Sequence, residues 1–132
     1  MRARAALGLI DTHVVIWLYE QNLRQIPTAV QRRINEEPIG LSPFVQLELD
    51  YLYELGRTGG AANAVVNELQ LTLELAPLDV SSASVCRVAA GLTWTRDPFD
   101  RLLAAHATVA QLPLVTKDRT LRRHLSLAWW SD

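Results

Sequence analysis

DPFDRLLAAHATVAQLPLVTKD, residues 97–118, reads as a helix, a short turn and a strand that stops on polar residues. Asp97 stands where an N-cap is wanted, and Pro98 suits the first helical position, where a backbone N–H would have no partner. Asp100 falls in the first turn, where a carboxylate meets the positive end of the helix dipole. PLVT, 113–116, is short and apolar enough for a buried strand, and Lys117-Asp118 ends it.

The same alternation runs upstream. ALGLI, 6–10, predicts a buried strand, and HVVIWLYE after it predicts a helix capped by Asp11 or Thr12. A second helix is expected from Thr28, just after Pro27, to Pro38, and IGLS, 39–42, is strand-like. SPFVQLELDYLYELG has Ser42 at the N-cap, Pro43 in the first turn and Gly56 as the C-terminal stop. Its Phe44, Leu47, Tyr51, Leu52 and Leu55 follow helical spacing and predict the packed face, with Glu48 beside it. RTGGAA is the most linker-like stretch; a helix is expected over 61–73, a strand in TLELAPL and a short helix in SSASVCRVAAG ending at Gly91. Downstream, RTLRRHL predicts a helix and LAWW a closing strand. This pattern predicts one α/β domain over residues 1–132, with a mainly parallel sheet, right-handed crossovers and a ligand site at the carboxyl ends of the strands.

The bulk numbers exclude several classes. A chain of 132 residues, 49% hydrophobic and 20% charged, buries a real core and is neither disordered nor built on disulfides. The single cysteine, Cys86, and the lack of a signal-peptide pattern point to a reducing cytoplasm. No uncharged apolar run approaches the roughly 20 residues that span a bilayer. Thirteen Lys and Arg against fourteen Asp and Glu leave a net charge of −1, so any RNA contact must use local patches such as Arg32-Arg33 or Arg119 with Arg122-Arg123.

Four acids stand out. Asp11 follows the first strand and Asp118 follows PLVT, so a parallel sheet places both at one edge. The helix of Glu48 leaves a strand end at that edge too, while Asp100 is placed more loosely, on a helix entered from a loop. Taken singly, Asp11, Asp97 and Asp118 are ordinary caps and Asp100 an ordinary dipole partner. Taken together they repel: two carboxylates about 5 Å apart at an effective dielectric near 20 cost roughly 3 kcal/mol. Something positive should sit among them, and hard oxygens without a His or Cys cluster favour Mg²⁺ or Mn²⁺. Such an ion orients a phosphodiester, lowers the pKa of a water and stabilises the leaving oxygen.

LIDTHVVIWL, the Glu within SPFVQLEL, RDPFDRLLAAHA and LPLVTKD, in that order, resemble the PIN-domain nucleases, most closely the VapC toxins of bacterial and archaeal toxin–antitoxin pairs. The likeness runs from about residue 7 to 130. It implies an α/β/α sandwich with about five parallel strands and a Mg²⁺-dependent ribonuclease site in which Asp11, Glu48, Asp100 and Asp118 match the four family acids. Thr12 and Thr116 match supporting hydroxyl positions. Asp97 matches an additional acid of the RDPFDR subgroup, for which capping is the favoured role. Relatives often carry His where this chain has Thr95, so any role of that His is absent or replaced. The resemblance also implies partners: RNA as substrate, a small VapB-type antitoxin whose C-terminal tail crosses the groove with a basic side chain near the acids, and a homodimer, as a heterotetramer or larger with the antitoxin.

Other residues read as structural. His13, His106 and His124 lack metal-ligand spacing, Cys86 is expected in the core, and Lys117 is expected to screen the acids. Trp17, Trp129 and Trp130 read as core or interface anchors, leaving Trp94 as the aromatic to test for substrate contact. Two other functions remain open: a PIN-like module that binds RNA or protein without cutting, and a receiver-type phosphoacceptor domain, although its adjacent acids after the first strand are not evident. No G-x-x-x-x-G-K-[ST] occurs, which disfavours a P-loop enzyme.

Overall fold

Strands that are apolar at every position belong inside a sheet covered on both faces. Gly8–Ile10 (β1) and Ile39–Leu41 (β2) are such strands, buried throughout. They join Leu75–Pro77 (β3), Leu114–Val115 (β4) and Ala128–Trp129 (β5) in one sheet of order β3-β2-β1-β4-β5, every neighbouring pair parallel. The computed structural model describes residues 8–131; residues 6 and 7 of the expected first strand lie outside them.

Seven helices cover the sheet among the described residues: α1 (Thr12–Tyr19), α2 (Thr28–Glu36), α3 (Pro43–Glu54), α4 (Ala62–Leu69), α5 (Ser82–Ala90), α6 (Pro98–Ala110) and α7 (Arg119–His124). The result is the expected α/β sandwich. Helices α1, α3 and α4 pack on one another, α5 packs on α6, and α6 also meets α3. Leu9, Ile10, Leu41 and Leu114 lie at the centre with at most 1% of their surface exposed. Each contributes roughly 1.5–3 kcal/mol of apolar burial.

Three helix ends share one device. Gln21, Gly56 and Gln111 take left-handed backbone, and the next residue's N–H returns to the carbonyl five residues back: Asn22 to Trp17, Arg57 to Leu52 and Leu112 to Ala107. Gly56 is the expected stop. The two glutamines carry no such signal in the sequence.

Three expectations are corrected. The packed face of α3 is Val45 and Leu49, whereas Leu47, Tyr51 and Leu55 are about half exposed or more. Helix α3 is apolar on two sides, and spacing alone does not choose between them. Helix α4 stops at Leu69 because the amides of Leu71 and Thr72 turn to carbonyls three residues back, tightening the chain out of the α-helix before β3. Cys86 is exposed, not core, since α5 turns Val85 and Ala89 inward.

The order of the strands locates the site. The chain moves outward from β1 to β2 to β3, then crosses back to place β4 on the other side of β1. The crevice between the carboxyl ends of β1 and β4 is therefore the switch point where ligands bind in open α/β sheets. Receiver domains use the order 2-1-3-4-5 instead, so this sheet rules out the phosphoacceptor reading.

Candidate active site

Asp11 leaves β1 at this crevice, and its N–H donates to Val115 O at 3.0 Å, tying the end of β1 to that of β4. It occupies the N-cap position of α1, yet its side chain caps nothing. Instead the Thr116 hydroxyl donates to Asp11 Oδ2 at 2.6 Å, and the same Thr116 oxygen accepts the Asp118 N–H at 3.0 Å. Thr116 thus holds the acids of both strand ends. The capping explanation accounts for Asp97 and Asp118 and fails for Asp11.

Asp118 accepts the Leu121 N–H at 2.8 Å and so caps α7 with one oxygen. Glu48 reaches the crevice from the second turn of α3, where the Thr12 hydroxyl donates to Glu48 Oε1 at 2.5 Å. Asp97 is exposed and accepts the N–H groups of Phe99 and Asp100 at 2.8 and 3.1 Å, the capping role favoured for it. That cap fixes the first turn of α6, which carries Asp100.

The acids feel one another. Burial pushes the Asp11 carboxyl above its usual range and the charge on Asp118 adds to this, against the Thr116 hydrogen bond and the charge of His13. Glu48 is raised by burial and by Asp11 and Asp97, against its bond from Thr12. Asp100 is raised furthest, to about 7, first by burial and then by Asp97, Asp11, Asp118 and Glu48. All four expected acids, with Asp97 at their margin, are therefore brought into one electrostatic cluster.

Among the described residues no three of these side chains form a ready-made metal cage. The donor set nevertheless fits a hard divalent cation in its chemistry, because it is all carboxylate, and such an ion would offset both the burial and the mutual repulsion of those charges. Asp11, Glu48, Asp100 and Asp118 are the residues that would hold it.

Two features escaped sequence reasoning. His106 of α6 is fully buried and shares a 2.8 Å hydrogen bond through Nδ1 with Ser42 Oγ, which also accepts the Phe44 N–H and caps α3. The helix bearing Asp100 is thereby pinned to the start of the helix bearing Glu48. A histidine flanked by alanines gives no sign of this. Beside the acids, Asp11, His13, Trp17, Lys117 and Asp118 line a cleft of about 240 Å³. The four-residue spacing of His13 and Trp17, one face of a helix, was a readable hint of it.

Of the candidate RNA patches, Arg33 is engaged in the fold, bridging Glu37 at 2.6 Å and lying 4.4 Å over the Trp129 ring. Trp94 has one face stacked on His124, with centroids 5.0 Å apart. Trp17 and Trp130 pack together against the core, as expected of anchors. No helix among the described residues is long and apolar enough to cross a membrane.

Comparison with known proteins gives the same picture. The profile of the family described as PIN domain matches residues 8–124. Ribonuclease VapC22 of Mycobacterium tuberculosis is 30% identical over 117 residues, covering 88% of this chain and 90% of that protein. Among solved structures, VapBC2 from Rickettsia felis, bound to a promoter DNA fragment, matches with a TM-score of 0.65 at 15% identity, over 94% of this chain and 98% of that one. DNA-bound VapBC from Salmonella typhimurium matches with a TM-score of 0.62 at 22% identity, over 90% and 92%. At those identities the structural matches speak to the fold.

Proposed function

This chain belongs to the PIN-domain family, and from that premise we propose that it is a Mg²⁺-dependent endoribonuclease, the toxin of a VapBC-type pair acting in the cytoplasm. The reading treats residues 1–132 as one PIN domain. Its site is Asp11, Glu48, Asp100 and Asp118, with Thr12, Thr116 and Asp97 in support. The observation that carries the reading is Asp11, a buried carboxylate that caps no helix and is held by the Thr116 hydroxyl at the switch point, in one electrostatic cluster with Glu48, Asp100 and Asp118. A fold does not gather that much like charge at its switch point for stability.

Each residue has a task. Thr116 fixes Asp11 and, through the Asp118 backbone, the turn after β4. Thr12, next to Asp11 in the chain, fixes Glu48. Asp97 orients the first turn of α6 so that Asp100 faces the same space. A bound Mg²⁺ or Mn²⁺ supplies Lewis acidity and a lowered water pKa, which is the chemistry phosphodiester hydrolysis requires. The proposed protein partners are a VapB-type antitoxin and a second copy of this chain, together a heterotetramer or larger. The half-exposed Leu47, Tyr51 and Tyr53 of α3, with Leu55 just after it, offer apolar surface to one of them.

Purified chain, freed of any copurified partner, is incubated with total RNA in Mg²⁺, Mn²⁺ or EDTA. Discrete fragments that require the cation and disappear in Glu48→Gln are expected. RNA retained on the protein in Mg²⁺ without cleavage would favour the non-cleaving binding module instead.

A further inference from the structure

The cleft beside the acids has walls suited to a nucleotide. Trp17 is half-buried at the C-terminal part of α1, held from behind by Trp130 at a centroid separation of 6.4 Å. The Lys117 ammonium stands 5.8 Å from the Trp17 ring centroid, and His13, one turn earlier, lies 6.3 Å from it between centroids. His13 and Lys117 are both exposed, so the mouth of the cleft offers two donors to a bound molecule. Asp11 and Asp118 form the remaining wall, and a chain bound with its phosphate at the acids would continue into this space. About 240 Å³ holds one base with part of its sugar.

A basic peptide side chain would meet the same two carboxylates. The Lys117 ammonium beside the indole would, however, repel a second cation, whereas its flexible, exposed stem can swing aside for a neutral ring. A nucleobase is neutral, stacks on an aromatic face whatever its identity, and brings a phosphate that an ammonium favours. We infer that the Trp17–Lys117 cleft is a base-stacking subsite: Trp17 receives the nucleobase next to the phosphate held at the acids, and Lys117 binds that nucleotide's own phosphate. The inference rests on the ribonuclease reading and adds to it a substrate contact. A stacking subsite of this kind is tolerant of base identity, so sequence choice would be made elsewhere in the chain.

The test is a titration of ¹⁵N-labelled chain in Mg²⁺ with AMP, CMP, GMP and UMP, with inorganic phosphate and a short arginine-containing peptide as controls. The Trp17 indole N–H resonance is identified as the one missing from Trp17→Phe. It is expected to move saturably with all four nucleotides and far less with phosphate. Lys117→Ala, at an exposed position that leaves folding intact, is expected to weaken nucleotide binding several-fold. Trp17→Leu, once shown to be folded, is expected to weaken it about fivefold or more and to raise KM for RNA cleavage more than it lowers kcat.

A Trp17 signal unmoved by nucleotides, moved equally by phosphate, or moved only by the peptide would overturn the subsite. So would nucleotide shifts confined to Trp94, Trp129 and Trp130. The parallel cleavage assay separates the two claims. RNA cut in Mg²⁺ with Trp17 silent leaves the nuclease and removes the subsite; Trp17 responding with no RNA cut leaves the subsite and removes the nuclease.

Discussion

Replacing Asp100 by Asn should stabilise the metal-free protein, and more so as the pH rises. The unfolded chain gives up this proton near pH 4, the folded chain only near pH 7. Between those values the folded state holds a proton that the unfolded state lacks, so stability falls as pH rises through the window. The rise from 3.8 to about 7 is worth about 4 kcal/mol if fully expressed. Asp100 is only half-buried, and solvent screening reduces this to about 2 kcal/mol. Asp11 and Glu48 are raised too and act in the same direction. Urea denaturation in EDTA at pH 5, 6, 7 and 8 measures it for wild type and Asp100→Asn. Because the window opens below pH 5, the variant should gain about 1 kcal/mol on wild type across the series, or about 3–4 °C in Tm, and end more stable at pH 8. His106 contributes the opposite slope below about pH 6.5, but equally in both proteins, so the difference isolates Asp100. Mg²⁺ should restore wild type at pH 8 and leave the variant little changed. Parallel pH curves for the two proteins, or a wild type that gains on the variant as pH rises, would refute the account of a strained acid cluster.

Further outcomes follow from single contacts. Thr116→Val removes the donor to buried Asp11 and the acceptor for the Asp118 N–H, so it should cost about 1–3 kcal/mol in urea titration and lower cleavage, with Thr116→Ser restoring both. His106 is held neutral by burial, so its folded pKa lies below the unfolded value and stability is lost as pH falls below that value. His106→Gln should flatten this acid loss in a pH series of melts while keeping a hydrogen bond to Ser42. A Cβ at Gly60 would lie 2.7 Å from the Tyr19 hydroxyl oxygen, so Gly60→Ala should lower Tm, and Tyr19→Phe in the same chain should recover part of it. Leu49→Ala empties a fully buried site on α3 and should cost about 2–5 kcal/mol by denaturation, whereas Leu47→Ala, on the exposed side, should cost little.

The parts legible in the sequence are those set by local chemistry. Ser42-Pro43 and Asp97-Pro98 mark helix starts, and both helices begin there because caps and proline act on their immediate neighbours. The acids at strand ends were legible because a parallel sheet sends every strand end to one edge. Asp100 was the loose placement, and it became the strongest feature of the site, since besides Asp97 of its own cap its environment comes from Asp11, Glu48 and Asp118 on three other elements. Long-range choices were not legible. Helix α3 has two apolar faces, and only the rest of the fold selects Val45 and Leu49 as the inner one. The tie of His106 to Ser42 spans 64 positions and leaves no local trace. Gln21 and Gln111 close helices in backbone usually given to glycine, so those ends had no residue signal.

The most direct measurement of the central claim is a Mn²⁺ titration followed by electron paramagnetic resonance, on wild type and on Asp11→Asn. Asp11 is chosen because its carboxylate is fixed by Thr116 and caps no helix, so its loss removes a cation ligand without removing a cap. The account predicts saturable Mn²⁺ binding that Mg²⁺ displaces, with binding and RNA cleavage lost together in the variant. Mn²⁺ bound equally well by Asp11→Asn, or RNA cut by a wild type that binds no cation, would contradict it.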